Sequence, residues 1–241
     1  MPGRLSRVLA PGLLAVVLAG GCAGPSAVFK AGASPSAPQP SSGAAPSTGP
    51  APSPSVLAAP SVSAAAQVHR VFPVAGNASY GHTHHDYPAT DIFAACGSPV
   101  RSPVDGVVLE VSRVDDFDPK HPAGEDKGGL SVSIRGDDGV RYYGSHLAAV
   151  QNGMDAGTRV RAGVQVGLVG KTGNSSNVCH LHFGLSPVCA GTGDWWVRRG
   201  VFYPWKYLDS WRAGGNLSPV DEAAAWQRGH GCPTAPTPGT R

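Results

Sequence analysis

The stretch GLSVSIRGDDGVRYYGSHL, Gly129–Leu147, decides the fold class. Apolar Val132 and Ile134 alternate with Ser131, Ser133 and Arg135, the period-two pattern of a half-buried strand. "GDDG" then supplies a turn, so the segment predicts a hairpin with arms Leu130–Arg135 and Val140–His146. Upstream, "SPVDGVVLEVSRV" predicts a turn at Asp105-Gly106 and a strand running through Val114. Downstream, "GTRVRAGVQVGLVGKTG" sets glycines at 157, 163, 167, 170 and 173 between single valines, as tight strand-turn-strand packing requires. "CHLHFGLS" reads as a further strand. The expectation is a mainly β domain built from short strands.

Around this unit the composition changes sharply. Residues 1–67 carry almost no charge, and 23–67 are mostly Ala, Pro, Ser and Gly. Such a segment has too few large apolar side chains to offset the entropy of folding and is expected to be an extended spacer. Residues 1–22 have the form of an export signal, with Arg4 and Arg7 before the apolar run Val8–Leu18. That run is shorter than the roughly 20 residues a membrane span needs. It ends "LAGGC", which resembles a bacterial lipobox with Cys22 as the lipidated residue; the other reading is an ordinary cleavable signal. The formal net charge of +3 and the lack of any basic run give no support to a nucleic-acid partner. With Cys22 set aside, Cys96, Cys179, Cys189 and Cys232 remain, an even number that suggests two disulfides in an oxidising compartment.

After Cys189 the pattern becomes helical. "YPWKYLDSWRAGG" starts a helix at Pro204, puts Tyr207, Leu208 and Trp211 on one face, and stops at Gly214-Gly215. "SPVDEAAAWQRGHG" predicts a second helix with Ser218 as its cap and Pro219 in first position. The aromatic residues either form a binding platform or pack this tail on the β core.

Two histidine groups carry the chemistry. On a strand, His180 and His182 share one face roughly 6.6–7 Å apart, while Cys179 faces away. By themselves they could be a metal site or two hydrogen-bonded structural residues. "YGHTHHDYPATDIFAACGSPV" adds His82, His84, His85 and Asp91, and "RYYGSHL" adds His146. A catalytic zinc typically takes three protein ligands and leaves a fourth position for water. One histidine from the first group, Asp91 and one from the His-x-His pair would complete that set. Between the strands, "DDFDPKHPAGEDKGG" (Asp115–Gly129) is a long polar loop of the kind that often forms a functional rim.

Taken together, His…Asp-Ile, "GSPVRSPVDGVV", "YYGSHL", the glycine-valine repeat and "HLHF" resemble, in order, the lysostaphin-like (LytM-type) zinc endopeptidases of peptidoglycan. The resemblance covers about residues 71–185. It implies an antiparallel β domain of the duplicated hybrid motif (barrel-sandwich hybrid) type, here residues 68–188, followed by a short helical extension over 189–241. It further implies Zn(2+) held by Asp91, His182 and one earlier histidine, with His146 and His180 as catalytic histidines that do not bind metal. The spacing of the first ligand departs from the family. His85 keeps even parity with Asp91 along a regular strand and is preferred, whereas His84 would need a bulge. On strand parity, Cys96 is expected to pair with Cys179, and the other pair, Cys189 with Cys232, to fasten the helical tail to the end of the His-x-His strand. The implied activity is hydrolysis of peptide cross-links in peptidoglycan by a protein anchored at the cell surface through lipidated Cys22. The competing reading is a non-catalytic wall-binding or hydrolase-activating module of the same fold.

Overall fold

The computed structural model describes residues 68–237; the expected signal at 1–22, Cys22 and the spacer 23–67 lie outside the described residues. Ten strands and three helices follow one another: β1 (Ala78–Ser79), β2 (Thr90–Ala94), β3 (Pro99–Arg101), β4 (Gly106–Ser112), β5 (Ser131–Gly136), β6 (Val140–Ser145), β7 (Leu147–Val150), β8 (Arg159–Val160), β9 (Gln165–Val169), β10 (His180–Pro187), α1 (Trp195–Arg198), α2 (Trp205–Arg212) and α3 (Val220–His230). Seven strands form one sheet in the order β1-β2-β10-β6-β5-β4-β8, and three form a second, β3-β9-β7. Every pairing between named strands is antiparallel. The domain is therefore mainly antiparallel β with a short helical tail, as the alternation of Gly129–Leu147 predicts.

The hairpin is present as β5 and β6, with Val132 and Ile134 buried. Two boundaries differ from expectation for physical reasons. β4 ends at Ser112, and Val114 is 62% exposed, so burial no longer holds the chain to the sheet there. β6 ends at Ser145 because His146 takes φ 63°, a left-handed conformation that a β ladder cannot accommodate.

β10 is the centre of the molecule. It lies between β2 and β6 and is buried at all eight positions. Leu181, Phe183 and Leu185 join Ile92, Val108, Val132, Ile134 and Leu147 in the hydrophobic core. Tyr207, Leu208 and Trp211 of α2 pack on this core; the Trp211 ring meets Tyr142 at 6.2 Å and Phe183 edge-on at 6.3 Å. Tyr207 and Trp211 are therefore packing groups. Both expected disulfides are present, Cys96–Cys179 and Cys189–Cys232, with Cα separations of 5.3 and 5.4 Å. β2 stops at Ala94, so Cys96 reaches Cys179 from the turn beyond the strand.

α1 was not foreseen. Asp194, the residue just before it, accepts two hydrogen bonds, at 2.6 and 3.1 Å, from the Arg141 guanidinium of β6. The two side chains are 0% and 2% exposed, a bidentate ion pair buried 53 residues apart in sequence. Gly184 of β10 lies where the chain after α1 crosses the sheet; a Cβ there would collide with the Arg199 carbonyl.

Candidate active site

Strand register brings the chemistry together. His182 pairs directly with Asp91 on one side and with Ser145, the neighbour of His146, on the other. His180 lies two residues back on the same strand, opposite Phe93. Asp91 is the second residue of β2, as expected for an aspartate aimed by the start of a strand. His146 and His180 meet edge-on with ring centres 4.7 Å apart, and His146 and His182 at 5.9 Å. All of these side chains line one groove of about 610 Å³, whose wall also includes Glu125 and Lys127 from the loop Asp115–Gly129.

Ligating atoms of His84, Asp91 and His182 lie within 4.8 Å of one another. His85 is outside this trio: it is exposed and stacks on His84 at 4.6 Å between ring centres. The preference for His85 assumed a regular strand back from Asp91. Residues 83–89 form no strand, only a series of bends before Thr90, so strand parity does not apply to them. The bends turn His84 inward instead, leaving its side chain 6% exposed.

The trio fits a metal ion on its own geometry. His182 Nε2 donates to the Arg199 carbonyl at 2.9 Å, because a carbonyl can only accept. His182 Nδ1 then faces Asp91 Oδ1 at 3.0 Å, a spacing that a proton or a bound metal ion would bridge. His84 Nε2 stands 3.7 Å from Asp91 Oδ2, too long for a hydrogen bond, and His84 Nδ1 is buried without any partner. Burial opposes ionisation of Asp91, but the His182 imidazole against it and the nearby His180 and His84 outweigh burial and hold its pKa at about 2. Burial, with His182 and His85 adding to it, pulls His84 down to about 4. Asp91 therefore stands as a carboxylate and His84 as a neutral imidazole, the protonation states a cation requires of such ligands.

His146 and His180 have a different environment. His146 Nδ1 donates to the Thr172 carbonyl at 2.8 Å, and His180 Nδ1 to the Val178 carbonyl at 3.0 Å. Each ring thereby keeps Nε2 free as a lone pair on the groove. Burial is the main cause that keeps both neutral: it lowers His146 to about 3, with His182 and His180 contributing, and it lowers His180 against the opposing pull of Asp91. The carbonyl that orients His146 is itself fixed, since Thr172 Oγ1 accepts from Leu130 N–H at 3.0 Å and donates to the Leu147 carbonyl at 2.8 Å. The left-handed backbone of His146 is a local cost of the kind found where a side chain must be aimed.

Residues 85–191 match the model of Peptidase family M23. Among solved structures, the chain is similar to the catalytic domain of the antimicrobial peptidase lysostaphin from Staphylococcus simulans, at 24% identity over 56% of this chain and 94% of that one, TM-score 0.43. It is similar to a putative glycyl-glycine endopeptidase LytM from Ruminococcus gnavus at 25% identity, over 48% and 52% of the two chains, TM-score 0.40. It is also similar to the catalytic domain of the prophage-encoded M23 protein EnpA from Enterococcus faecalis at 22% identity, over 51% and 91%, TM-score 0.38. No curated protein matches the chain. The M23 match begins at residue 85 and so leaves out His84, yet distance to Asp91 favours His84 for the site.

The segment after the M23 match also contributes to the groove, and the sequence reading missed it. Trp195, Arg198 and Arg199 line it together with Tyr87. Arg198 is paired with Glu110 at 2.8 Å and lies over the Tyr143 ring. The aromatic-basic run "WWVRRG" between Cys189 and Cys232 was the available signal.

Proposed function

We propose that the protein is a zinc-dependent endopeptidase that hydrolyses peptide cross-links of bacterial peptidoglycan, exported and held at the cell surface by a lipid on Cys22 and the spacer 23–67. The observation that carries this reading is the His84-Asp91-His182 trio beside two histidines that each present a free Nε2 to the same groove. Two imidazoles and one carboxylate are the donor set of an open catalytic zinc site, and we assign His84, Asp91 and His182 as its ligands. Zinc bound there would activate water for attack and polarise the scissile carbonyl.

The chain's own residues handle the protons. No His-Glu-x-x-His motif occurs in the sequence, so the base is assigned to the histidines. His146 and His180, both neutral, can take a proton at Nε2 from the attacking water. The protonated ring can then hydrogen-bond the developing oxyanion and pass its proton to the leaving amine. Their Nδ1–H bonds to carbonyls fix ring orientation through the cycle, and the Arg199 carbonyl does the same for His182.

The test is digestion of purified peptidoglycan by the isolated protein, followed by mass spectrometry of the released fragments. New amino termini on the peptides with intact glycan strands are expected. A chelator should abolish the release and added zinc should restore it. Cleaved glycan would refute the reading, and binding to peptidoglycan without any release would favour the wall-binding module.

A further inference from the structure

Arg199 stands apart from the other arginines that the fold shields. Of the described arginines that are not exposed, Arg70, Arg141 and Arg198 each have a carboxylate within 2.8 Å. Arg199 has none, although it lines the groove. Its guanidinium carbon lies 4.0 Å from the centre of the Tyr87 ring and 5.1 Å from that of Trp195. Its Nε is buried without a hydrogen-bond partner. Burial pulls its pKa down, with Tyr87 and exposed Asp86 opposing, yet an arginine stays protonated in any protein setting. The result is a permanent, partly desolvated cation with its planar fork held against aromatic faces and no carboxylate of the protein in ion-pair contact with it.

Its position relates it to the metal trio. The Arg199 carbonyl fixes His182, and the Tyr87 ring that supports the guanidinium lies 4.7 Å from His84 and 5.7 Å from His182. One aromatic ring therefore separates the cation from the cluster. An extended peptide, advancing roughly 3.3 Å per residue, covers that span within about three residues. Arg199 also lies beyond residue 191, where the M23 match ends, so it belongs to this chain's own extension.

We propose that Arg199 is a specificity-determining residue that binds a free carboxylate of the substrate beside the scissile bond, an inference that rests on the peptidase function proposed above. The substrate class is then a cross-link whose residues carry a free carboxylate, as stem peptides with an acidic or diamino acid do. A plain glycine bridge offers no such group.

The test uses cross-linked peptide dimers from peptidoglycan, prepared with the carboxylates next to the cross-link either free or amidated, and pentaglycine blocked as its C-terminal amide as a third probe. A charge-assisted, bidentate contact predicts that the wild type favours the free-carboxylate dimer by roughly 10- to 100-fold in kcat/KM. Arg199→Gln should bring that ratio close to one, and Arg199→Lys should keep part of it, since an ammonium retains the charge but loses the fork. Lys127→Gln, a change of another groove cation, should keep the full ratio. Unaltered zinc content and melting temperature would show that the Arg199 variants are folded. An unchanged ratio in Arg199→Gln, or pentaglycine cut as fast as the free-carboxylate dimer, would overturn the proposal. If no dimer were cleaved, the peptidase reading itself would fail. The ratio of dissociation constants for the two dimers, with and without Arg199, would still report on the carboxylate site.

Discussion

The two walls of the groove are held by different physics. The histidine-aspartate wall sits on β2, β10 and the end of β6, where ladder register fixes each side chain against its neighbour. The Tyr87–Arg199 wall rests on non-local contacts: the buried Arg141–Asp194 pair, the Cys189–Cys232 bond and the crossing over Gly184. In the proposed function the chemistry is mounted on the rigid ladder, and the proposed substrate contact on a segment that is tied down at a few points. The two walls touch where the Arg199 carbonyl meets His182, so side chains of the extension can change while that backbone contact stays.

The largest expected effect comes from emptying the ladder wall. Asp91→Ala leaves two imidazoles facing a gap and should lose both zinc and cleavage, read by metal analysis and peptide release. His84→Ala should do the same, while His85→Ala should retain metal. Full occupancy in His84→Ala with loss in His85→Ala would restore the strand-parity assignment and break the present one.

A smaller effect separates catalysis from metal binding on the same wall. His146→Ala should keep its zinc and melting temperature while the rate of cleavage falls by around 10²–10⁴-fold, the usual worth of general acid-base help. A wild-type rate would make His146 a structural residue, and lost zinc would mean that the ligand set is wrong.

Sequence and structure agree best where one rule of local geometry decides. Period-two alternation found the hairpin, the shared face of His180 and His182 follows from strand pleating, and Pro204 marked the start of α2. The preference for His85 extended strand parity into residues 83–89, which are bends, and there the distances to Asp91 favour His84 instead. The Trp195–Arg199 wall was illegible for another reason. Its position depends on Arg141 and Asp194 meeting across 53 residues, and no periodicity encodes that meeting.

The mildest test concerns the second wall. Asp194→Ala strands the Arg141 guanidinium, 0% exposed, without its partner and should cost about 3–5 kcal/mol of stability, measured by denaturant unfolding. Under stabilising conditions zinc should still bind, because none of its proposed ligands lies on the extension. Loss of zinc in folded Asp194→Ala would show that the two walls are coupled, through the Arg199 carbonyl that holds His182.

The burial of β10 at every position has a consequence for anyone redesigning the protein. Most central strands of an antiparallel sheet leave one side open, and on that side changes are tolerated. Here Leu181, Phe183 and Leu185 fill the core, His180 and His182 face the groove, and Gly184 sits under the crossing chain, so no residue of this strand is spare. A library randomised through 180–187 would return mostly unfolded or inactive clones. The editable parts are the loop Asp115–Gly129 and the segment Trp195–Arg199, which reach the groove from outside the ladder, and a new substrate preference has to be written there.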